Sequence, residues 1–483
     1  MTLAAPRSSD QGSRPLIETR PLLNPDVTDV DLMGRRGWWL VVLNVLIPGS
    51  AQVLAGNRRL GRFGLGATLI GWFLLLIAAG LGLFARPALV WLFAGPLAWF
   101  MLTLVQVLLL AYVALWIVLT IDTLRQARLV RLPPISRWAI PLVSVLVLAL
   151  VSSATVYAST AVASGRGALT TLFGSGGPSL PPSDGYYNIL LLGADSGDGR
   201  DSMRFDSISV VSVNADTGAV TMTGIPRELA GAPFSEGSPM RELYPNGFEG
   251  HSDQTCGWEP WMNHIRNAAE VCRDDKGTGL YPDAATHGSA PGIEATKDAA
   301  EGVLGIEIPY YVFVDMDGFA ALIDALGGVD MTVTERLPKG GGPAYRGQPA
   351  EDWAIGWIEA GEQHMDGDTA QWYARSRYTT SDYDRMKRQR ELQVAILQQF
   401  TPQTVVARFN EIAAAGTQLM ETDLPQDKLP EFFDLMMKAK EQPVTEIELV
   451  PDNGIVEDNP DFELIHQMVR DALHPPETDA PSE

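Results

Sequence analysis

Histidine and cysteine are scarce in this chain of 483 residues, which contains six histidines and two cysteines. The histidines form no HExxH pair, and no ligand spacing near the cysteines completes a four-coordinate zinc site. The sequence also lacks a G-x-S-x-G elbow, a P-loop and a G-x-G-x-x-G fingerprint after a strand. These absences argue against zinc hydrolases, serine hydrolases and NTPases.

Positive charge is also scarce and unevenly distributed. The net charge is −22, but residues 1–163 hold 13 Arg, no Lys and 6 acidic residues, which leaves −29 for the remainder. Such an acidic second part binds nucleic acid poorly, so we expect no nucleic-acid partner. Any anionic substrate must be met by local arginines.

Three long apolar runs lie in the first third of the chain. The runs at 64–84, 87–121 and 138–163 contain no charged residue, and each exceeds the roughly 18 residues that a spanning helix needs. The sequence therefore predicts an integral membrane protein. About 35 polar residues precede the first apolar stretch, so we do not expect a cleaved signal peptide.

Arginine placement predicts the orientation of these runs. Clusters at 35–36, 58–62 and 125–137 flank the apolar segments, whereas the loop near Arg86 carries one charge. The positive-inside rule assigns the clusters to the cytoplasm. The interrupted stretch 38–55 is then re-entrant or interfacial, which gives three spans. In the alternative it is a true span and 87–121 splits at Pro96, which gives five. Both put everything after residue 163 outside.

The remaining boundaries follow from composition. We expect a cytoplasmic polar tail at 1–35, a helical membrane region at 36–163, a Gly/Ser/Pro linker at 164–185, an extracytoplasmic domain at 186–474 and a disordered tail at 475–483. Short β-rich runs, among them NILLLGA, SISVVSVN and VTMTGI, precede predicted helices and strands between 294 and 333. Two helices between 366 and 400 are separated by the polar stretch 379–384. This pattern predicts an α/β fold.

The two cysteines, Cys256 and Cys272, lie in the half expected outside the cell. An oxidising compartment favours a disulfide between them, with two buried thiols as the alternative. The loop between them lies outside the residues that we expect to bind phosphate.

Acidic and arginine side chains recur at the ends of apolar runs and on one predicted helix. Carboxylates that hold a divalent cation beside arginines that hold phosphates indicate a diphosphate site. Taken singly, each has a plainer explanation, such as an Asp turn at 195 or arginines paired with Asp382, Asp384 and Glu391 on a solvated helix face. The set comprises Asp195, Arg204, Asp206, Arg227, Arg375, Arg377, Arg385 and Arg388.

These residues occur in the blocks NILLLGADSGDGRDSMRFDSISVVSVN, TGIPRE, YYVFVDMDGFAALIDALGGVDMTV and YARSRYTTSDYDRMKRQRE, between about 188 and 400. In this order the blocks resemble the LytR-CpsA-Psr family of membrane-anchored cell-wall polymer transferases. The resemblance implies an exported α-β-α sandwich with a mixed central sheet, preceded here by the helical membrane region.

The resemblance also implies roles for individual residues. Asp195 and Asp206 match the acids that hold Mg²⁺. The groups that match contacts to the lipid diphosphate are Arg204, Arg227, Arg375, Arg377 and Gln389, and the supporting positions of the closing motif are Arg385 and Arg388. We expect the catalytic set to be Asp195, Arg204, Asp206, Arg227, Arg375 and Arg377. The second of the two helices also begins beside Arg385 and Arg388, and its N-terminus is expected to present free amides to phosphate.

Three positions depart from the family pattern. Gly197 stands where an arginine is usual, Phe205 replaces a small residue, and TGIPRE ends in Glu228 rather than Asp. Arg200 is a candidate replacement for the missing guanidinium. A longer Glu228 is expected to change how Arg227 is held.

The reaction implied is transfer of a glycopolymer from polyprenyl diphosphate to a peptidoglycan sugar hydroxyl at the plasma membrane. The partners expected are the lipid-linked glycopolymer, peptidoglycan and the membrane. Two alternatives stay open at this point: a lipid-diphosphate phosphohydrolase, and a noncatalytic membrane scaffold or regulator that binds lipid headgroups.

Overall fold

The protein is described from a computed structural model. The structure describes residues 22–23, 25–95, 97–173, 176–194, 204–399, 408, 411–412, 415 and 420–475. The chain forms two compact units, one of Met1–Arg86 with Thr103–Val162 and the other of Pro87–Leu102 with Ala163–Glu483.

Six α-helices lie among the described residues between 22 and 173. They are α1 (Val30–Leu46), α2 (Ser50–Ala55), α3 (Arg58–Phe84), α4 (Arg86–Ala94), α5 (Ala98–Ala127) and α6 (Pro134–Phe173). Among the described residues, three helical segments are long and apolar enough to cross a membrane: Arg58–Phe84, Ala98–Arg131 and Pro134–Thr171. Membrane anchoring is thus confirmed. The 38–55 stretch is divided between α1 and the short α2, and neither counts among the three.

The connection between α1 and α2 is held by close backbone packing. Gly49 has φ +95°, and a Cβ there would lie 2.2 Å from the Leu65 nitrogen of α3. Polar side chains on either side of the break bond inside the same unit. Asn44 donates to Thr120 Oγ1 (3.1 Å), and Gln52 donates to the Leu119 carbonyl (2.7 Å). These bonds show how a broken helix is tolerated among apolar helices.

The linker expected at 164–185 is partly wrong. Helix α6 continues to Phe173, so the first ten residues of that stretch are helical. Glycine inside a helix costs only about 1 kcal/mol relative to alanine, and the first proline after Pro141 is Pro178. The glycines at 165 and 167 are therefore insufficient to end the helix.

The second unit is built on a six-stranded mixed sheet in the order β10-β3-β2-β1-β4-β9. Strands β1–β4 are Tyr186–Ala194, Phe205–Asn214, Val220–Gly224 and Tyr310–Asp315; β9 and β10 are Met420–Thr422 and Thr445–Glu448. β1 runs parallel to β4 and β3 parallel to β10, while the other neighbours are antiparallel. Two smaller antiparallel sheets pair β5 (Val329–Val333) with β8 (Gly361–Met365) and β6 (Leu337–Lys339) with β7 (Gly356–Ile358).

Helices cover both faces of this sheet. Their bounds are α7 Pro239–Leu243, α8 Pro291–Leu304, α9 Met316–Leu326, α10 Gly367–Arg375, α11 Asp382–Gln399, α12 Leu429–Ala439 and α13 Phe462–Leu473. On one face, Leu190 and Val210 share a core with α8 and α13. On the other, Tyr187 packs with Leu435 of α12 and Met222 packs near α11. The expected α-β-α sandwich with a mixed sheet is confirmed.

Candidate functional site

Sheet topology brings three chain segments to one edge. β1 ends at Ala194 opposite Phe205, where the antiparallel β2 begins. β3, antiparallel to β2 in turn, ends at Gly224, and the Ile225 amide still donates to the Ile208 carbonyl (2.9 Å). Asp206 and Arg227 therefore meet although 21 positions separate them.

Arg227 is at the centre of the polar groups on this edge. Its Nη1 donates to Asp206 Oδ1 (2.6 Å), and its Nη2 donates to Glu228 Oε1 (2.8 Å). Its side chain is only 15% exposed. Burial by itself lowers the pKa of Arg227, but the charges of Asp382, Asp206 and Glu228 outweigh it and raise that pKa. The longer side chain of Glu228 is thus a direct partner of Arg227.

Asp382, the first residue of α11, connects three of the arginines. Its Oδ2 lies 3.0 Å from Arg385 Nη2 and 3.9 Å from Arg227 Nε, and its Oδ1 lies 3.9 Å from Arg377 Nη1. Sequence reasoning treated Asp382 only as a partner on a solvated helix face. Its pairing with Arg385, three positions away on the same helix, is such a local contact. Its contact with Arg227 comes from the tertiary fold.

Arg385 and Arg388 are both buried, yet they face different partners. Arg385 Nη2 donates to the Asp206 carbonyl (3.4 Å), which fastens α11 to β2. Arg388 donates to the carbonyls of Tyr373 and Ser376 and to Thr380 Oγ1. These carbonyls belong to the end of α10, where helical partners run out. Among the described residues, the structure thus brings Arg385 to the cluster and uses Arg388 to hold α10 against α11.

The N-terminus of α11 is occupied by its own side chains. Ser381 Oγ accepts from the Asp384 amide (3.1 Å), and Asp384 Oδ2 accepts from the Ser381 amide (2.8 Å). This reciprocal cap satisfies donors that the sequence had suggested for phosphate. The expectation of an open amide site at this helix end is therefore wrong for these two groups, and the arginine side chains are the cations available there.

The remaining expected site residues are spread around the cluster. Arg377 is 44% exposed just beyond α10. Arg375 ends α10 with its guanidinium 5.5 Å from the Trp372 ring, and Arg204 is exposed immediately before β2. Gln389 donates to the Ala374 carbonyl (3.2 Å). Asp195, with Gly197 and Arg200, lies outside the described residues.

An apolar cavity of about 210 Å³ adjoins these groups. It lies between β1 and β4 on one side and α9, α10 and α11 on the other. Its apolar lining includes Leu191, Val312, Phe319 and Leu392, and its polar lining includes Asp206, Arg375 and Gln389. Phe205 points into the core instead, where it is fully buried and meets Phe313 at 6.0 Å, so a large residue is accommodated before Asp206.

Two further groups near the cluster escaped sequence reasoning. Burial raises the pKa of the Glu457 carboxyl, and the charges of Asp382 and Glu228 raise it further. The Tyr383 hydroxyl donates to Glu457, and burial raises the pKa of Tyr383 to about 12. Glu457 lies in a polar loop with no periodic pattern, so the sequence carries no signal for it.

The described residues suit Mg²⁺ only together with a phosphate ligand. They contain no group of three or more His, Cys, Asp or Glu side chains arranged to hold a metal ion. Asp206 contributes one partly exposed carboxylate whose Oδ2 accepts no hydrogen bond from a described residue. Mg²⁺ takes one or two carboxylates and completes its octahedron with phosphate oxygens and water, so Asp206 fits as one ligand.

Cys256 and Cys272 form the expected disulfide. The loop that they close holds none of the residues expected to bind phosphate, but its backbone contacts the segment that carries Arg227. The Asn263 amide donates to the Arg227 carbonyl (2.9 Å), and the Met262 amide donates to the Leu229 carbonyl (3.0 Å). A single 3-10 turn at Met262–His264 places these two donors side by side.

Comparison with known proteins finds a related family. The profile of the LytR_cpsA_psr family matches residues 257–472. Over this region, which is less than half of its length, the chain is similar to the LytR-CpsA-Psr family. The match includes α10 and α11 and leaves out the blocks before residue 257, on which part of the sequence resemblance rested.

Curated relatives match about half of this chain. Biofilm regulatory protein A of Streptococcus mutans is 26% identical over 259 residues, which cover 52% of this chain and 53% of the relative. The polyisoprenyl-teichoic acid–peptidoglycan teichoic acid transferase TagU of Halalkalibacterium halodurans is 27% identical over 244 residues, which cover 50% of this chain and 62% of the relative. The match thus spans less than two thirds of either relative. The crystal structure of B. subtilis TagV aligns at 20% identity and TM-score 0.39, over 60% of this chain and 97% of that one.

Proposed function

We propose that this protein transfers a glycopolymer from a polyprenyl diphosphate carrier to a sugar hydroxyl of peptidoglycan. The observation that carries the proposal is an apolar cavity with Asp206, Arg375 and Gln389 in its lining and the Arg227–Asp382 cluster beside it. A polyprenyl diphosphate has an apolar tail and an anionic head, which suit these two parts. The Halalkalibacterium halodurans relative is named for the same class of reaction.

The cavity volume of about 210 Å³ is smaller than the roughly 300 to 1,000 Å³ typical of ligand pockets. It suits the isoprene units next to the diphosphate, with the rest of the tail outside. Phe319 of α9 and Leu392 of α11 give the cavity an apolar lining, and apolar surroundings strengthen nearby charge interactions.

In the reaction, the acceptor hydroxyl oxygen attacks the phosphorus that bears the glycan. The phosphoanhydride bond to the carrier breaks, a phosphodiester bond forms, and polyprenyl phosphate leaves with the electron pair. The hydroxyl proton passes to a carboxylate of the site. Arg227 and Arg377 contact phosphate oxygens and offset the charge that gathers on the leaving group.

The ion pairs around Arg227 explain how the site stays folded without substrate. Arg227 is paired with Asp206 and Glu228, and Arg385 is paired with Asp382. A bound diphosphate competes with Asp206 for Arg227 and leaves the Asp206 carboxylate available. Mg²⁺ would be held there by Asp206, and it would supply further charge neutralisation at the phosphate oxygens.

We further propose that the sheet domain lies outside the cytoplasm and that the protein is multi-pass. The support is the placement of arginine clusters beside α1, α3, α5 and α6, which the positive-inside rule assigns to the cytoplasm. α6 would then carry the chain outward. Peptidoglycan is accessible only on that side.

Transfer is expected when the full chain in detergent is incubated with Mg²⁺, a lipid-diphosphate glycan and a peptidoglycan fragment. Mass spectrometry should detect a phosphodiester-linked product and polyprenyl phosphate. Asp206→Asn should slow this transfer and shift the Mg²⁺ titration to higher concentration, because it removes the charge of a metal ligand with little change in shape.

Controls for this assay separate the alternatives. Asp216→Asn, on the exposed turn between β2 and β3, should leave both rate and Mg²⁺ titration unchanged. Release of free glycosyl phosphate in place of the linked product would favour a phosphohydrolase. Lipid binding with no turnover on an authentic acceptor would favour a scaffold.

The proposed membrane topology predicts which parts of the chain an external protease can reach. Protease added to spheroplasts should digest an epitope placed after residue 163 and spare one in residues 1–30. A reporter fused after Arg62 should behave as cytoplasmic if the α1–α2 segment is re-entrant and as external if it spans. Protection of both epitopes would contradict the export of the domain.

A further inference from the structure

The disulfide-closed loop carries a histidine beside the arginine cluster that neither the sequence motifs nor the proposed reaction uses. His264 is 5% exposed and follows Asn263, whose amide donates to the Arg227 carbonyl. The position of the imidazole is thus tied to the backbone of Arg227. The loop itself is fixed by the bond between Cys256 and Cys272 and by the buried Ile265.

Hydrogen bonding defines which ring nitrogen carries the proton. His264 Nδ1 accepts from the Glu259 amide (2.8 Å). A nitrogen that accepts has no proton, so the proton of the neutral ring lies on Nε2. Burial lowers the pKa of His264 to about 4, helped by the charge of Arg204, and the ring is therefore neutral at physiological pH.

The Nε2–H group is a buried donor with no acceptor in the described part of the chain. Such groups are rare in folded proteins, where nearly all buried polar atoms are paired. Arg204 is close enough for its charge to act on the ring. A donor beside a guanidinium, sheltered from bulk water, suits an anionic oxygen that binds to both.

We propose that His264 Nε2–H donates a hydrogen bond to a phosphate oxygen of the bound polyprenyl diphosphate, next to Arg204. This inference rests on the proposed function. It adds a neutral donor, in addition to Gln389, to a site built mainly from charged groups, and it gives the disulfide loop a direct part in substrate binding. His264 acts as a substrate-binding residue and takes no proton in the reaction.

Two substitutions distinguish the role of Nδ1 as an acceptor from the role of Nε2 as a donor. Asparagine reaches about as far as Nδ1, so His264→Asn keeps an acceptor for the Glu259 amide and loses the donor. Glutamine reaches about as far as Nε2, so His264→Gln keeps a donor there. Binding of octaprenyl diphosphate to the full chain in detergent, followed by calorimetry, should weaken about ten-fold to a hundred-fold in His264→Asn. His264→Gln should stay within about three-fold of the wild type.

A structural role would give the opposite order, with His264→Asn the milder change in binding and in melting temperature. His466→Gln is the matched control, because that histidine bonds the Gly302 carbonyl on α8 and should leave binding unchanged. If the wild type does not bind octaprenyl diphosphate, the proposed function fails. If it binds and His264→Asn binds equally well, only this inference fails.

An NMR measurement on the wild-type protein tests the hydrogen bond from His264 even if a variant does not fold. In wild-type protein labelled with ¹⁵N-histidine, addition of octaprenyl diphosphate should move the Nε2–H resonance of His264 downfield and slow its exchange with water. An unchanged resonance at saturating ligand would overturn the proposal.

Discussion

Arg227→Ala is expected to slow glycopolymer transfer by about ten-fold to more than a hundred-fold. Arg227 is the cation that three carboxylates share, and charge-assisted hydrogen bonds to phosphate contribute about 1.5 to 3 kcal/mol. Its loss also leaves Asp206, Glu228 and Asp382 without their common counter-charge. The initial rate of product formation, measured on protein shown to be folded by its melting curve, provides the test.

Two other arginine variants serve as controls for the effect of Arg227→Ala on the transfer rate. Arg227→Lys keeps the charge but loses the planar fork, so its rate should lie between those of the wild type and the alanine variant. Arg470→Ala, on the exposed side of α13, should transfer at the wild-type rate. Equal rates for Arg227→Ala and Arg470→Ala would show that Arg227 has no role in transfer.

Among the variants described, removal of the disulfide is expected to lower the free energy of unfolding of the protein the most. The bridge closes a loop of sequence separation 16, and the chain-entropy model gives about 3 kcal/mol for a loop of this length. The double variant Cys256→Ser/Cys272→Ser should therefore melt several degrees below the wild type. Because the same loop is bonded to the backbone of Arg227, octaprenyl diphosphate binding should fall as well.

Reductant provides the internal control for this experiment. Dithiothreitol should lower the melting temperature of the wild type towards that of the double variant and leave the double variant unchanged. Identical melting of oxidised and reduced wild type would mean that the packing of Met262 and Ile265 in the core is sufficient to hold the loop.

Local patterns in the sequence predicted the elements that place the site. The polar stretch 379–384 indicated the break between α10 and α11, and the structure has α10 ending at Arg375 and α11 beginning at Asp382. The β-rich runs that became β1, β2 and β3 were recognisable because buried strands are short and apolar. The disulfide was recognisable from its two cysteines alone, since no other partner exists in the sequence.

Contacts between distant segments could not be read from these patterns. The proximity of Asp382 to Arg227 depends on the crossing of α11 over the end of β3, which periodicity does not encode. Arg388 has the spacing of a cluster residue, but the unpaired carbonyls at the end of α10 attract its guanidinium. His264 belongs to a segment rich in Gly, Pro and aromatics, where no period exists to assign a face.

The sheet order also constrains how the domain can fold during synthesis. β10 pairs with β3, and its Glu446 and Glu448 hold the buried Arg390 of α11. β3 and α11 therefore leave the ribosome before the strand that protects the edge of β3 and neutralises Arg390. Until residue 448 emerges, this edge is open to wrong pairing and α11 has a charge without its partners. The packing of α11 against this edge of the sheet is thus completed only after residue 448 has been made.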